Sequence, residues 1–440
     1  MTKMTVVATS GSHAVQCTQL AIKHALSGAP GPVAVLYHSQ ALRGRIGPDT
    51  RPQLYTLDPY LPAAPPPADP AAIDESARIL AAAERPVIIA GNGVRVSNAY
   101  AELAELAEAL GAAVATTAGG KGTFAETHAL ALGVCGNFGT PLANAGIGAA
   151  DVVLVVGSKL AATDLANENP KLLNPQRQVL IQTDIEPRNA SWTFPAAITV
   201  IGDAKAVLTQ ITSALSGAGG VAPGKAAAAR TRLERARQEL GFFDAPELSS
   251  EAAPLLPQRI IKDLQRALAN DAMVTCDAGE NRIFMSHFFQ TKGPGTFIQP
   301  SGVGGMGYAI PAALAAKLIY PRRQVVAVCG DGGFAIVMNG LMTALEQKLP
   351  IVVVVFNNSA LGWVKHGQGE RAIACDFVDF DLAAIAKSMG CDGIRVETPR
   401  QLAPALQSAL ASGKPTVVDV VTSLSETFRR VTSPLLSRNG

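Results

Sequence analysis

Charge is scarce in this chain. Only 16% of its 440 residues are Asp, Glu, Lys or Arg, and 37 basic against 35 acidic side chains leave a net charge of +2. Without a field of either sign there is no electrostatic means of holding nucleic acid or an anionic membrane, so neither is expected as a partner. Long apolar runs are missing too: residues 351–356 and 152–156 are strand-length, far below the roughly 20 residues that span a bilayer. Gly, Ser, His and Gln interrupt residues 1–26, so no secretory leader is expected there. The six cysteines (Cys17, Cys135, Cys276, Cys329, Cys375 and Cys391) form no CxxC pair and have no paired His spacing, which argues against a zinc site or a disulfide framework. A cytoplasmic location is the expectation. One further scarcity is local: no Glu occurs before Glu75.

What is present is an apolar set of 48% punctuated by 41 Gly and 29 Pro, the composition of a compact α/β protein. At roughly 150 residues per domain the length suggests about three units. Residues 1–58 hold a helical pattern at 13–27 and a strand at 32–37, too little for a domain. The Pro-rich segment 59–70 reads as an extended linker. In residues 71–216, helices at 74–83 and 98–110 alternate with strands at 87–90, 113–116, 152–156, 179–183 and 198–201, with a glycine turn at 91–93. Strands apolar on both faces between helices indicate a parallel sheet covered on both sides. Residues 217–256 are a second linker with one charged helix, 226–240. Residues 257–425 repeat the alternation, with strands at 325–329, 351–356 and 416–421, and 426–440 form a tail. The fold class is α/β, with doubly wound parallel sheets in tandem.

The sharpest pattern is Gly330-Asp331-Gly332-Gly333 directly after one strand and Asn357-Asn358 directly after the next. Asp331 and Asn358 are 27 residues apart, the length of a loop, a helix and a strand in a right-handed crossover. Phe334, Val337, Met338, Leu341 and Leu345 fall on one face of a single expected helix between them. Both motifs then lie on the rim where open α/β sheets bind ligands. Gly332 and Gly333 allow main-chain N–H groups to approach an anion, while Asp331, the Asn358 side-chain oxygen and the Ala360 carbonyl are the hard oxygen donors that Mg²⁺ prefers.

GDGGF followed by VVVVFNN resembles the thiamine-diphosphate signature of the acetolactate synthase and 2-oxo-acid decarboxylase superfamily. Residues 301–311 (SGVGGMGYAIP) resemble it too. The resemblance runs from about residue 1 to 421. It implies a central Rossmann-like domain followed by a thiamine-diphosphate-binding fold, with thiamine diphosphate and Mg²⁺ as cofactors and Asp331, Asn358 and Ala360 as metal ligands. It further implies that a bulky residue at Met306 bends the cofactor and that the Gly304 carbonyl receives its 4′-amino group. Gly279, Gly330, Gly332 and Gly333 stand at its diphosphate end, and Leu361, Trp363, Val364 and His366 at the substrate pocket. Acetolactate synthases commonly carry Gln-His where Glu280-Asn281 stand, a departure in this chain. Relatives hold FAD or ADP near the positions of Gly91-Asn92-Gly93 and Gly157-Ser158-Lys159, but Lys159 replaces the usual Arg and FAD is not expected.

The implied activity is decarboxylation of a 2-oxo acid with carboligation, in a homodimer or homotetramer. The family's activating Glu comes from a pyrimidine-binding domain that precedes the central one. Residues 1–74 contain none, and Asp49 and Asp58 are poor substitutes. The sequence therefore suggests a remnant of that domain, with no catalytic residue assignable here, and a chain that needs a separate pyrimidine-domain subunit; a non-catalytic binding subunit is the alternative. An NAD-dependent dehydrogenase is a weaker rival: Gly302, Gly304 and Gly307 also satisfy GxGxxG, yet residues 293–300 before it are bounded by Pro and make a poor buried strand.

Overall fold

The computed structural model describes residues 2–49, 51, 67–217 and 220–431. Most of the Pro-rich linker, Asp58 and the end of the tail lie outside the described residues. Strand β1 (Thr5–Ala8) pairs in parallel with β2 (Ala34–Tyr37), and helix Gly11–Leu26 connects them. The sequence reading had one helix and one strand here and missed β1. Four residues of which only Ala8 is buried carry no periodic signal.

The next unit is a six-stranded parallel sheet of β3 (Pro86–Ala90), β4 (Ala113–Thr116), β5 (Ala131–Val134), β6 (Val152–Val156), β7 (Val179–Asp184) and β8 (Ile198–Ile201), in the order β5-β4-β3-β6-β7-β8. Every residue of β3 and β6 is buried. The helix before β3, Pro70–Ala82, starts on an Asp69 cap that accepts from the Ala71 N–H at 3.1 Å. Chain direction across the sheet reverses between β3 and β6, which opens a crevice of about 760 Å³. The backbones meet there so closely that a Cβ on Gly91 would lie 2.3 Å from the Gly157 carbonyl oxygen. The expected plain glycine turn is in fact a short helix, Asn92–Val96, whose Gly93 N–H donates to that same carbonyl at 2.9 Å.

The last unit is a second six-stranded parallel sheet: β9 (Met273–Cys276), β10 (Phe297–Ile298), β11 (Val325–Gly330), β12 (Val352–Asn357), β13 (Asp392–Val396) and β14 (Thr416–Val421), in the order β10-β9-β11-β12-β14-β13. Its reversal lies between β9 and β11. The single helix expected between β11 and β12 is two, Asp331–Val337 and Gly340–Glu346. Asn339 and Gly340 are weak helix formers, and a Cβ at Gly340 would come within 3.0 Å of Ile310 in helix Ala309–Ile319, so the break lets that helix pack close.

The two large units are joined by a buried ion pair. Lys121 Nζ lies 2.8 Å from both oxygens of Glu126, and Glu126 Oε2 accepts from the Thr291 N–H at 2.8 Å across the junction. Among the described residues, no helix is long and apolar enough to cross a membrane.

Candidate functional site

Strands β11 and β12 are paired with Gly330 opposite Phe356, which brings their carboxyl ends, and the two sequence motifs, to one rim. Asp331 opens the helix after β11. Its Oδ1 accepts from the Gly332 N–H at 2.7 Å and its Oδ2 from the Ala360 N–H at 3.1 Å. Burial pushes this carboxyl up to about 6, against the pull of those N–H groups. After β12 the two asparagines part. Asn357 turns into the fold, donating to Asp419 Oδ1 at 2.9 Å and to the Phe380 carbonyl at 3.1 Å. Asn358 faces the rim, and its Oδ1 accepts from the Ala360 N–H at 3.2 Å. Ser359, at φ +52°, makes the left-handed turn that folds Ala360 back toward Asp331.

The third contributor is the end of β9, at the sheet's reversal. Gly279 adopts φ +120° and leads into helix Glu280–Phe288. Asp277, a site residue that sequence reasoning missed, is fully buried and holds the neighbouring loop. Its Oδ1 accepts from the Gly307 N–H at 2.9 Å and its Oδ2 from the Ala309 N–H at 3.1 Å, fixing the loop that carries Gly304 and Met306. The only signal for it was an Asp at a strand end followed by Ala-Gly.

These elements enclose a cleft of about 80 Å³ lined by Gly279, Glu280, Met306, Gly330–Gly333, Asn358, Ala360, Leu361, Trp363 and Val364, with Thr422 and Glu426 at its edge. Beyond Met306 it meets an open hollow of about 680 Å³ bounded by residues 303–308, Gly304 included. Met306 lines both spaces. A Cβ at Gly332 would lie 2.8 Å from Leu361 Cδ2 and 3.1 Å from Met306 Cε; the glycine leaves that floor open. His366 is placed differently from its neighbours. Its Nδ1 lies 2.8 Å from Glu280 Oε1 and its Nε2 3.1 Å from the Leu424 carbonyl, outside the cleft lining. The Lys159 ammonium sits over the Trp192 ring at 5.1 Å, beside the crevice of the first large sheet.

Two sequence-family models match this chain: the central domain of thiamine pyrophosphate enzymes over residues 73–211, and their C-terminal TPP-binding domain over residues 277–420. A probable acetolactate synthase large subunit from Methanocaldococcus jannaschii is 33% identical over 424 residues, covering 93% of this chain and 70% of that protein. The chain belongs to the thiamine pyrophosphate enzyme family. An acetolactate synthase isozyme 3 large subunit of Escherichia coli K12 is 32% identical over 400 residues, 88% of this chain and 67% of the relative. A sulfoacetaldehyde acetyltransferase from Castellaniella defragrans is 30% identical over 383 residues, 81% and 64% respectively. The chain is thus a thiamine-diphosphate-dependent, acetolactate synthase-like enzyme.

The cleft chemistry fits a diphosphate only in company with a cation. Asp331, Glu280 and Glu426 line it, and among the described residues no Lys, Arg or His does. Glu426 is matched by Arg430 at 2.6 Å and Glu280 by His366, whereas Asp331 meets main-chain N–H groups. A divalent ion between Asp331 and a diphosphate would neutralise both. Among the described residues no cluster of three or more His, Cys, Asp or Glu side chains forms a metal site, so amide, carbonyl and ligand oxygens would complete the shell.

Proposed function

We propose that this chain performs Mg²⁺-dependent carbon–carbon bond chemistry on a 2-oxo acid, decarboxylating it and passing the remaining fragment to a second carbonyl. The observation that carries this reading is the convergence of Asp331, Asn358 and Ala360 on one cleft floored by Gly332 and Gly333. Asp331, Asn358 Oδ1 and the Ala360 carbonyl would hold the metal. The Gly279, Gly332 and Gly333 backbones would receive the diphosphate, the Gly304 carbonyl would take the 4′-amino group, and Met306 would support the ring. Thiamine diphosphate, when bound, supplies the carbanion stabilisation that loss of CO₂ requires. Leu361, Trp363 and Val364 shape the substrate side and exclude water from it.

Activity depends on a pyrimidine-domain partner subunit. Residues 1–74 contain no Glu to hydrogen-bond the cofactor's pyrimidine ring, and Asp49 is exposed. That group comes from a separate pyrimidine-domain subunit, within a homodimer or homotetramer. Two relatives are named as large subunits, which supports assembly with a further subunit. The same observation favours a second reading, a subunit that binds the cofactor without turning it over.

Calorimetry tests the proposal. Thiamine diphosphate should bind with Mg²⁺ and not in EDTA, and Asp331→Ala or Asn358→Ala should abolish binding. Wild-type protein that binds nothing would refute it, and pyruvate turnover by the purified chain alone would refute the dependence on a partner.

A further inference from the structure

A carboxylate at the edge of a cleft that receives a diphosphate is an electrostatic misfit unless its charge is engaged elsewhere. Glu280 is only 7% exposed, and both its oxygens are taken. Oε1 accepts from the Phe428 N–H at 2.6 Å, and His366 Nδ1 lies 2.8 and 3.0 Å from Oε1 and Oε2. On the far side of the ring, Nε2 meets the Leu424 carbonyl at 3.1 Å, so a single imidazole spans helix Glu280–Phe288 and the chain after β14. The turn Phe428–Val431 is fastened a second time: Arg429 Nη2 donates to the His366 carbonyl at 3.1 Å. Between these two fastenings the Phe428 ring stacks on Trp363, with centroids 4.8 Å apart and planes 12° from parallel. Gly362 is a glycine for the same reason, since a Cβ there would fall 2.6 Å from Glu280 Oε2.

We propose that Glu280 and His366 form a latch that holds residues 424–431 against helix Gly362–Gln368 and thereby positions Trp363 at the mouth of the cleft. They are positioning residues. Glu280 joins three segments distant in sequence, and Trp363, which lines the cleft, has its outer face covered by the turn the latch retains. The effect on cofactor affinity rests on the reading of the cleft as the diphosphate site; the effect on Trp363 does not.

The chain has two tryptophans, and Trp192 is 61% exposed, so Trp192→Phe leaves Trp363 as the sole reporter. In that background, with no cofactor added, Glu280→Ala and His366→Ala should each raise the acrylamide quenching constant of Trp363 at least twofold. Glu280→Gln keeps an oxygen for the Phe428 N–H and should restore most of the protection, a rescue that mere loss of packing would not give. Thiamine diphosphate with Mg²⁺ should then bind about tenfold more weakly to both alanine variants. Should Glu280→Ala fail to fold, His366→Ala, on a partly exposed helix, carries the comparison. Unchanged quenching in His366→Ala overturns the latch whether or not the cofactor binds. Wild-type protein that binds no thiamine diphosphate overturns the reading of the cleft and leaves the quenching comparison intact.

Discussion

Replacing Asp331 by Asn should stabilise the cofactor-free protein while destroying its ability to be stabilised by cofactor. Burial raises the Asp331 carboxyl from an ordinary 3.8 to about 6 in the folded chain. A pKa raised on folding means that the native state holds this proton more tightly than the unfolded one. The associated stability is fully present below about pH 4 and is lost as the pH climbs through 6. At pH 7.5 the ionised carboxylate therefore costs the fold about 3 kcal/mol, at about 1.4 kcal/mol per pH unit. Asparagine is neutral at both pH values and removes that cost. Its NH₂ cannot accept, so either the Gly332 N–H loses its partner or the Ala360 N–H keeps only Asn358 Oδ1, at about 1 kcal/mol. The net gain is about 2 kcal/mol, or roughly 4–8 °C in melting temperature for a unit of this size. Differential scanning calorimetry in EDTA at pH 7.5 and 4.5 reads this directly, with the advantage of the variant shrinking at the lower pH. With Mg²⁺ and thiamine diphosphate at about a hundred times the dissociation constant, wild type should gain about 2.7 kcal/mol and the variant nothing, which reverses the order. A variant less stable than wild type at pH 7.5 in EDTA, or a gap unchanged at pH 4.5, would refute the burial argument. Equal stabilisation of both proteins by cofactor would refute the role of Asp331 as a ligand.

Gly332→Ala should weaken thiamine diphosphate binding about tenfold at a stability cost near 1 kcal/mol, because only the flexible ends of Leu361 and Met306 must move aside; calorimetric titration beside a urea melt checks both. Asp277→Asn should free the loop around Met306, seen as faster hydrogen exchange at Gly307 and Ala309 and weaker cofactor binding, with β9 itself still protected. Lys121→Met strands the Glu126 carboxylate in the junction between the two sheets and should cost about 3–5 kcal/mol in urea unfolding. The double variant with Glu126→Gln should recover part of that loss, and strict additivity of the two single changes would contradict a coupled buried pair.

Strands buried on both faces announced themselves. The runs at 152–156, 325–329 and 351–356 are continuous β-branched and apolar stretches, and the structure places strands on all three. The others divide less cleanly: the edge strand β8 is expected at 198–201, whereas interior β9, only four residues though wholly buried, is not. β10 is two residues held along β9, β13 has two of its five residues fully buried, and β1 has one of four. An edge strand gains its stability from one neighbour's backbone rather than from its own apolar faces, so its sequence carries little of the pattern that marks a central strand. The break between helices Asp331–Val337 and Gly340–Glu346 was hidden for a related reason: the apolar stripe continues across it in correct phase, and only the approach of Ile310 shows why a glycine sits there.

The site was readable as far as its residues belong to short, local motifs. Gly330–Gly333 and Asn358–Ala360 could be placed on one rim because a strand end and a crossover length suffice to locate them. What could not be read was pairing between segments far apart in the chain. Asn357 and Asn358 are identical in type and adjacent, yet Asp419, 62 positions away, decides that the first turns inward and the second faces the cleft. Likewise Glu280 looked only like a departure from the usual Gln, and His366 only like a pocket residue. Their distance of 2.8 Å across 86 positions of sequence changes the meaning of both. A carboxylate that would repel a diphosphate and an imidazole expected at the substrate pocket instead satisfy each other, and the main-chain N–H of Phe428 completes the arrangement. This explains how three carboxylates can line the cleft: Glu280 is engaged by His366 and the Phe428 N–H and Glu426 by Arg430, which leaves Asp331 for the proposed metal.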